Sequence, residues 1–135
     1  MATPFFVEIV ALSGSVYHGE TTSVRAPGTD GGFEILANHA PMLASLGIGV
    51  LSLKTPDGQK ITYATSGGFL QVLKNRVIIL AESAEAVGEI DVERAKLAEK
   101  HAAEKLSEAD KASREEAKKE FERARNRLRL SMGQV

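Results

Sequence analysis

Hydrophobic and polar positions change rhythm once along this chain. Before Asp91, short apolar and β-branched runs alternate with turn residues; after it, apolar residues recur every three or four positions in a field of charge. The strand-like runs are Phe5–Leu12, Thr21–Ala26, Gly32–Leu36, Gly49–Lys54, Lys60–Thr65, Phe69–Leu73 and Arg76–Glu82. Pro56-Asp57-Gly58 separates two of them and Lys74-Asn75 two others, so neighbouring runs are expected to pair as hairpins. No helix-length 3.6-residue pattern interrupts the series, which argues against a parallel βαβ sheet. The first part is predicted to be an antiparallel β-sandwich.

In the second part Asp91 is placed as a helix N-cap, with Glu93 in the first turn. Ala95, Ala98, Ala102, Leu106 and Ala109 form a narrow seam of small side chains, and Ala117, Phe121, Ala124 and Leu128 form a second stripe. The stripes suit a two-helix antiparallel hairpin. Between them, Ser107-Glu-Ala-Asp110 offers two capping residues but no Gly or Pro, so little enforces the reversal. A continuous helix of about 40 residues would reach roughly 60 Å, and a hairpin about half that. The Ala-rich contact buries little apolar area, which places the two forms within a few kcal/mol of each other.

Composition sharpens the boundary. Of the charged residues, 13 lie in positions 1–90 and 22 in 91–135, while eleven of the 12 Gly and all four Pro precede Asp91. The domains are therefore set at 1–88 and 89–135. A formal net charge of -1 provides no global field for nucleic acid or anionic lipid. With no Cys, thiol nucleophiles and Cys-ligated zinc are excluded, and only His18, His39 and His101 supply imidazoles. No apolar run approaches the roughly 20 residues of a membrane span. Met1-Ala-Thr-Pro-Phe-Phe-Val7 lacks the features of a secretory signal, which points to the cytosol.

Candidate chemistry is sparse. Ser66-Gly67-Gly68-Phe69 enters a strand-like run and lacks the Lys-Ser/Thr of a phosphate loop, so a tight turn or bulge is expected there. His39, in Asn38-His39-Ala40-Pro41, has no local triad partner and reads as a structural or partner-contact residue. Lys119, Arg123 and Arg127 share one helix face that suits phosphate, yet Glu115, Glu116, Glu120 and Glu122 can neutralise much of that charge. Nothing makes a convincing nucleophile and base, which disfavours a small β-sandwich enzyme.

Several strings occur in a telling order: Gly32-Phe-Glu-Ile-Leu-Ala-Asn-His-Ala-Pro-Met-Leu43, Ser66-Gly-Gly-Phe69, Val77-Ile-Ile-Leu-Ala-Glu82 and Ile90-Asp-Val-Glu-Arg-Ala95. Over nearly the whole chain this pattern resembles the epsilon subunits of bacterial F-type ATP synthases. The resemblance implies a non-catalytic rotor subunit of the central stalk. Its sandwich would bind the gamma subunit and rest on the c-ring, coupling proton flow to rotation. The helices would move between a compact hairpin and an extended form reaching the alpha and beta subunits and restraining ATP hydrolysis. The protein would sit at the cytoplasmic face of the plasma (inner) membrane, peripherally, with no membrane insertion and no nucleic acid.

In some relatives the compact hairpin binds ATP through an Ile/Leu-Asp-x-x-Arg-Ala motif, an upstream acid and arginines of the second helix. The resemblance carries that role onto Glu85, Ile90, Asp91, Arg94, Ala95, Arg123 and Arg127, making ATP a regulatory ligand with no cofactor required. His101 stands where those relatives carry a further Arg. His39 matches a loop His on the gamma-facing side of relatives. Gly32-Phe33-Glu34 departs from the family, many members having an acid first and Gly third, so the c-ring contact of that acid does not transfer to Gly32. A freestanding cytosolic nucleotide sensor on the same scaffold is the alternative reading.

Overall fold

The computed structural model describes residues 2–133; Met1, Gln134 and Val135, at the outer limits of the two predicted domains, lie outside the described residues. The chain divides between Ala86 and Val87 into two compact units.

The first unit holds eight strands: β1 (Phe5–Ala11), β2 (Gly14–Thr21), β3 (Ser23–Gly28), β4 (Gly31–Ile35), β5 (Met42–Lys54), β6 (Lys60–Leu73), β7 (Arg76–Ala81) and β8 (Ala84–Ala86). Their order is β2-β1-β7-β6-β5-β3-β4, with β8 on β6. The long strands β5 and β6 serve both layers of the sandwich. Their Met42–Leu46 and Gly68–Val72 ends pair with each other, and β7 and β1 follow on the β6 side. Their other ends carry β8 beside Tyr63–Thr65 and β3 beside Ser52–Lys54.

Alternation places the core. Phe5, Val7, Ile9 and Ala11 of β1 and Val77, Ile79 and Ala81 of β7 point inward, joined by Val24, Ile35, Leu51, Leu53, Leu70 and Val72. The sandwich and the helical hairpin after it have the architecture expected from the pattern. One ladder differs from the antiparallel expectation, since β1 and β7 pair in parallel from Phe6–Arg76 to Ala11–Ala81. Five strands intervene between them, which supplies the long connection a parallel pair needs without a crossover helix.

Four segments also depart from the predicted runs. β2 and β8 were not expected; β5 begins at Met42 instead of Gly49; and β6 continues through Ser66–Phe69. There the strand turns a corner. Gly67 and Gly68 take φ of 123° and 139°, and a Cβ on Gly68 would stand 2.0 Å from the Leu80 carbonyl oxygen. Glu82 N–H donates to Gly67 O at 2.9 Å and fastens the bend.

The second unit begins with a 3-10 turn at Val87–Glu89 and continues as α1 (Val92–Glu108) and α2 (Arg114–Ser131). Asp91 caps α1, its Oδ1 accepting from Arg94 N–H at 3.1 Å. Lys105 Nζ meets Glu120 Oε2 across the hairpin at 3.0 Å. Ala95 and Ala102, two turns apart on α1, and Ala117 on α2 are buried, as the seam of small residues requires.

Candidate functional sites

The helical hairpin and the sandwich each carry a candidate surface. On the hairpin, Ile90, Asp91, Arg94 and Ala95 occupy the start of α1. Ile90 and Ala95 are buried, at 7% and 1% exposure, while the side of the helix bearing Arg94 is open. Asp91 spends one carboxylate oxygen on the cap.

The Lys105–Glu120 bridge marks the register between the helices. Seven residues back on α1 and seven forward on α2 put Arg127 roughly level with Ala98; three in each direction put Arg123 level with Ala102. Both arginines therefore stand one to two turns from Arg94 along the hairpin. They are half-buried, unlike Arg125 and Arg129, and Arg123 meets Glu116 at 3.7 Å. Their face of α2 ends in Leu130, which is 2% exposed. Glu85 lies in the first unit, on β8 opposite Ala64. His101 is exposed on α1.

A cavity of about 430 Å³ lies at the other end of the hairpin. Glu108, Glu116 and Glu120 line it beside Lys105, three carboxylates against one ammonium, and this balance disfavours phosphate. Among the described residues no cluster of three or more His, Asp or Glu could hold a metal ion. No helix of the described residues is long and apolar enough to cross a membrane.

On the sandwich, one sheet face carries apolar side chains into solvent. Phe69 pairs with Leu80, and Leu80 with Val10, so these three form a row across β6, β7 and β1. Ile78 lies beside that row, and Leu43 stands on β5 opposite Gln71. Leu43, Phe69 and Leu80 are 72%, 55% and 55% exposed. Around them run Glu8, His18, Glu20 and Arg76, giving an apolar centre with a polar edge, as at protein interfaces. Sequence reasoning missed this face. Its signal was the uninterrupted apolar run Val77-Ile-Ile-Leu-Ala81, which marks a strand meant to be covered on both sides.

His39 sits half-buried in the segment between β4 and β5, its Nδ1 within 2.8 Å of Ala40 O. The preceding Asn38 is tied to Asn75 of the β6–β7 turn: Asn38 N–H donates to Asn75 Oδ1 at 2.6 Å, and Asn75 Nδ2 donates to Asn38 Oδ1 at 3.2 Å.

Comparison with known proteins gives these features a family. Residues 4–87 match the family model of the ATP synthase Delta/Epsilon chain beta-sandwich domain, and residues 89–132 match its long alpha-helix domain. The ATP synthase epsilon chain of Salinibacter ruber is 44% identical, with 100% of this chain and 97% of that protein covered. That of Syntrophomonas wolfei is 40% identical, covering 94% and 93%. Among solved structures, a chain of the Euglena gracilis mitochondrial ATP synthase (OSCP/F1/c-ring) superposes with a TM-score of 0.81 at 23% identity, over 93% of this chain and 80% of that one. A chain from the central stalk/c-ring structure of the Tetrahymena thermophila mitochondrial enzyme gives 0.67 at 14% identity, over 99% and 98%.

Proposed function

This chain belongs to the delta/epsilon family of ATP synthase subunits, and on that premise we propose that it is a non-catalytic central-stalk subunit whose sandwich docks on the gamma subunit and the c-ring. The observation that carries the proposal is the apolar sheet face of Leu43, Phe69 and Leu80. A freestanding nucleotide sensor would leave that face in water, whereas a subunit held in an assembly covers it. Through this docking the protein follows c-ring rotation driven by protons and stays at the cytoplasmic side of the membrane as a peripheral subunit.

The helical hairpin is assigned the regulatory half of the function. In its compact form it leaves ATP hydrolysis free; extended toward the alpha and beta subunits, it restrains hydrolysis. ATP is proposed to favour the compact form, with Arg94, Arg123 and Arg127 supplying cations for phosphate near the start of α1. Ile90, Asp91 and Ala95 complete the set proposed on the hairpin, Asp91 by holding the first turn through its cap.

The test is reconstitution with the gamma subunit. The unsubstituted chain is expected to form a stable complex, and Phe69→Ser with Leu80→Ser to weaken it by tenfold or more while the isolated chain keeps its melting temperature. Undiminished binding by the double variant would refute the assignment of this face.

A further inference from the structure

Three residues other than glycine take positive φ among the described residues: Asn38 at 62°, Lys74 at 50° and Asn75 at 59°. All three belong to one corner of the first unit. Lys74 and Asn75 form the two-residue turn between β6 and β7, and both central residues of such a turn need positive φ. Glycine at the second position meets that need at no steric cost, so the turn alone gives no reason for Asn75. Its side chain is used elsewhere.

The Asn75 amide holds Asn38 through two reciprocal hydrogen bonds, while its own carbonyl accepts from Phe6 N–H at 3.2 Å. One exposed residue thus ties together the β6–β7 turn, the start of β1 and the loop between β4 and β5. Asn38 is itself in the left-handed region, which asparagine tolerates better than most residues. Such bonds in solvent bury nothing and add little to the core. What they fix is the path of the loop carrying His39 between Leu36 and Leu43, which are 54% and 72% exposed. Leu73, 47% exposed, leads into the same turn. Leu43 also belongs to the apolar sheet face, so the clasped loop continues that surface.

We propose that Asn75 is a positioning residue for the docking surface: its clasp on Asn38 holds the 36–41 loop in the conformation that the gamma subunit meets. This rests on the docking reading above. A loop already ordered in the free subunit loses less conformational freedom on association, and that saving appears as affinity.

The test compares Asn75→Gly and Asn75→Asp with the unsubstituted full chain. Asn75→Gly keeps the backbone freedom of the turn and removes the clasp; Asn75→Asp keeps the acceptor for Asn38 N–H. Three quantities are read: melting temperature, amide exchange at residues 36–40, and affinity for the purified gamma subunit. Asn75→Gly is expected to melt at or above the temperature of the unsubstituted chain and to exchange the Asn38 amide at least tenfold faster. It should bind gamma about tenfold more weakly, with Asn75→Asp recovering most of the affinity. Unchanged exchange, or faster exchange with undiminished affinity, overturns the inference. Failure of the unsubstituted chain to bind gamma overturns the docking reading as well, and the two failures are therefore distinct.

Discussion

Asp110 Oδ1 accepts from both the backbone N–H and the hydroxyl of Ser113, each at 2.9 Å. The two bonds lie at the reversal between α1 and α2, in a stretch without glycine or proline. Ala109 ends α1 in an extended conformation, and the Asp110 carboxylate closes the turn over residues 111–113 that leads into α2, where Ser113 holds the N-cap position. Asp110→Ala is therefore expected to shift the chain toward a continuous helix, while Asp110→Asn keeps an acceptor and the hairpin. Spin labels on cysteines placed one in each helix, in a chain that has no Cys of its own, would read the separation. A distance distribution unchanged by Asp110→Ala would show that helix contacts alone set the reversal.

Protonation should act on the same turn. The backbone bond from Ser113, then its hydroxyl bond, hold the Asp110 carboxyl below its ordinary value of 3.8. A lowered value in the folded state means that the contribution is complete above the ordinary value and disappears as pH falls through the lowered one. The Asp110 carboxyl resonance is expected to titrate below 3.8, with hairpin separation widening in that acid range. A midpoint at or above 3.8 would contradict the bonds described.

Gly68→Ala and Gly88→Ala form a matched pair. At Gly68 the new methyl would press on the Leu80 carbonyl with φ at 139°, so a loss of about 3 kcal/mol or more is expected by chemical denaturation. At Gly88 nothing lies within 4 Å, and the change is expected to be neutral or to stabilise by up to about 1 kcal/mol. Similar losses at both would argue against a tight corner in β6.

Thr65 is 2% exposed, and its Oγ1 is the buried side-chain polar atom without a partner among the described residues. Thr65→Val keeps the shape and removes the unpaired hydroxyl, so the unfolding free energy from urea titration is expected to stay or rise, by about 1 kcal/mol at most. A clear fall would reveal a hydrogen bond made by that hydroxyl.

ATP binding is checked by calorimetric titration of the full chain. Saturable heat should be lost in both Arg94→Ala and Arg127→Ala. Absence of heat and of thermal stabilisation at millimolar ATP would leave the hairpin to respond to its partners alone.

Strands with one apolar face were legible because alternation is a local signal. β2 was not, since Gly14-Ser-Val-Tyr-His-Gly-Glu-Thr21 runs along a sheet edge and buries only its last residue fully. The early part of β5 and the middle of β6 were hidden for another reason: their glycines read as punctuation, whereas here they let paired strands turn a corner. On α2 the apolar stripe predicted contacts through Phe121 and Leu128 but missed Leu130, which lies on the face of Arg123 and Arg127. The Asn38–Asn75 clasp joins residues far apart in sequence and leaves no periodic trace.

The parallel ladder has a consequence in time. β1 leaves the ribosome first but lies between β2 and β7, so one of its edges stays open until Arg76–Ala81 has been made. At about 5–20 residues per second, the stretch from Ala11 to Arg76 takes roughly 3–13 s to synthesise. For that interval β1 has no partner along its β7 side, and the nascent β1–β2 hairpin offers an unpaired strand edge to whatever is nearby. A nascent chain stalled before Arg76 should therefore recruit holding chaperones, and one stalled well beyond Ala81 should release them.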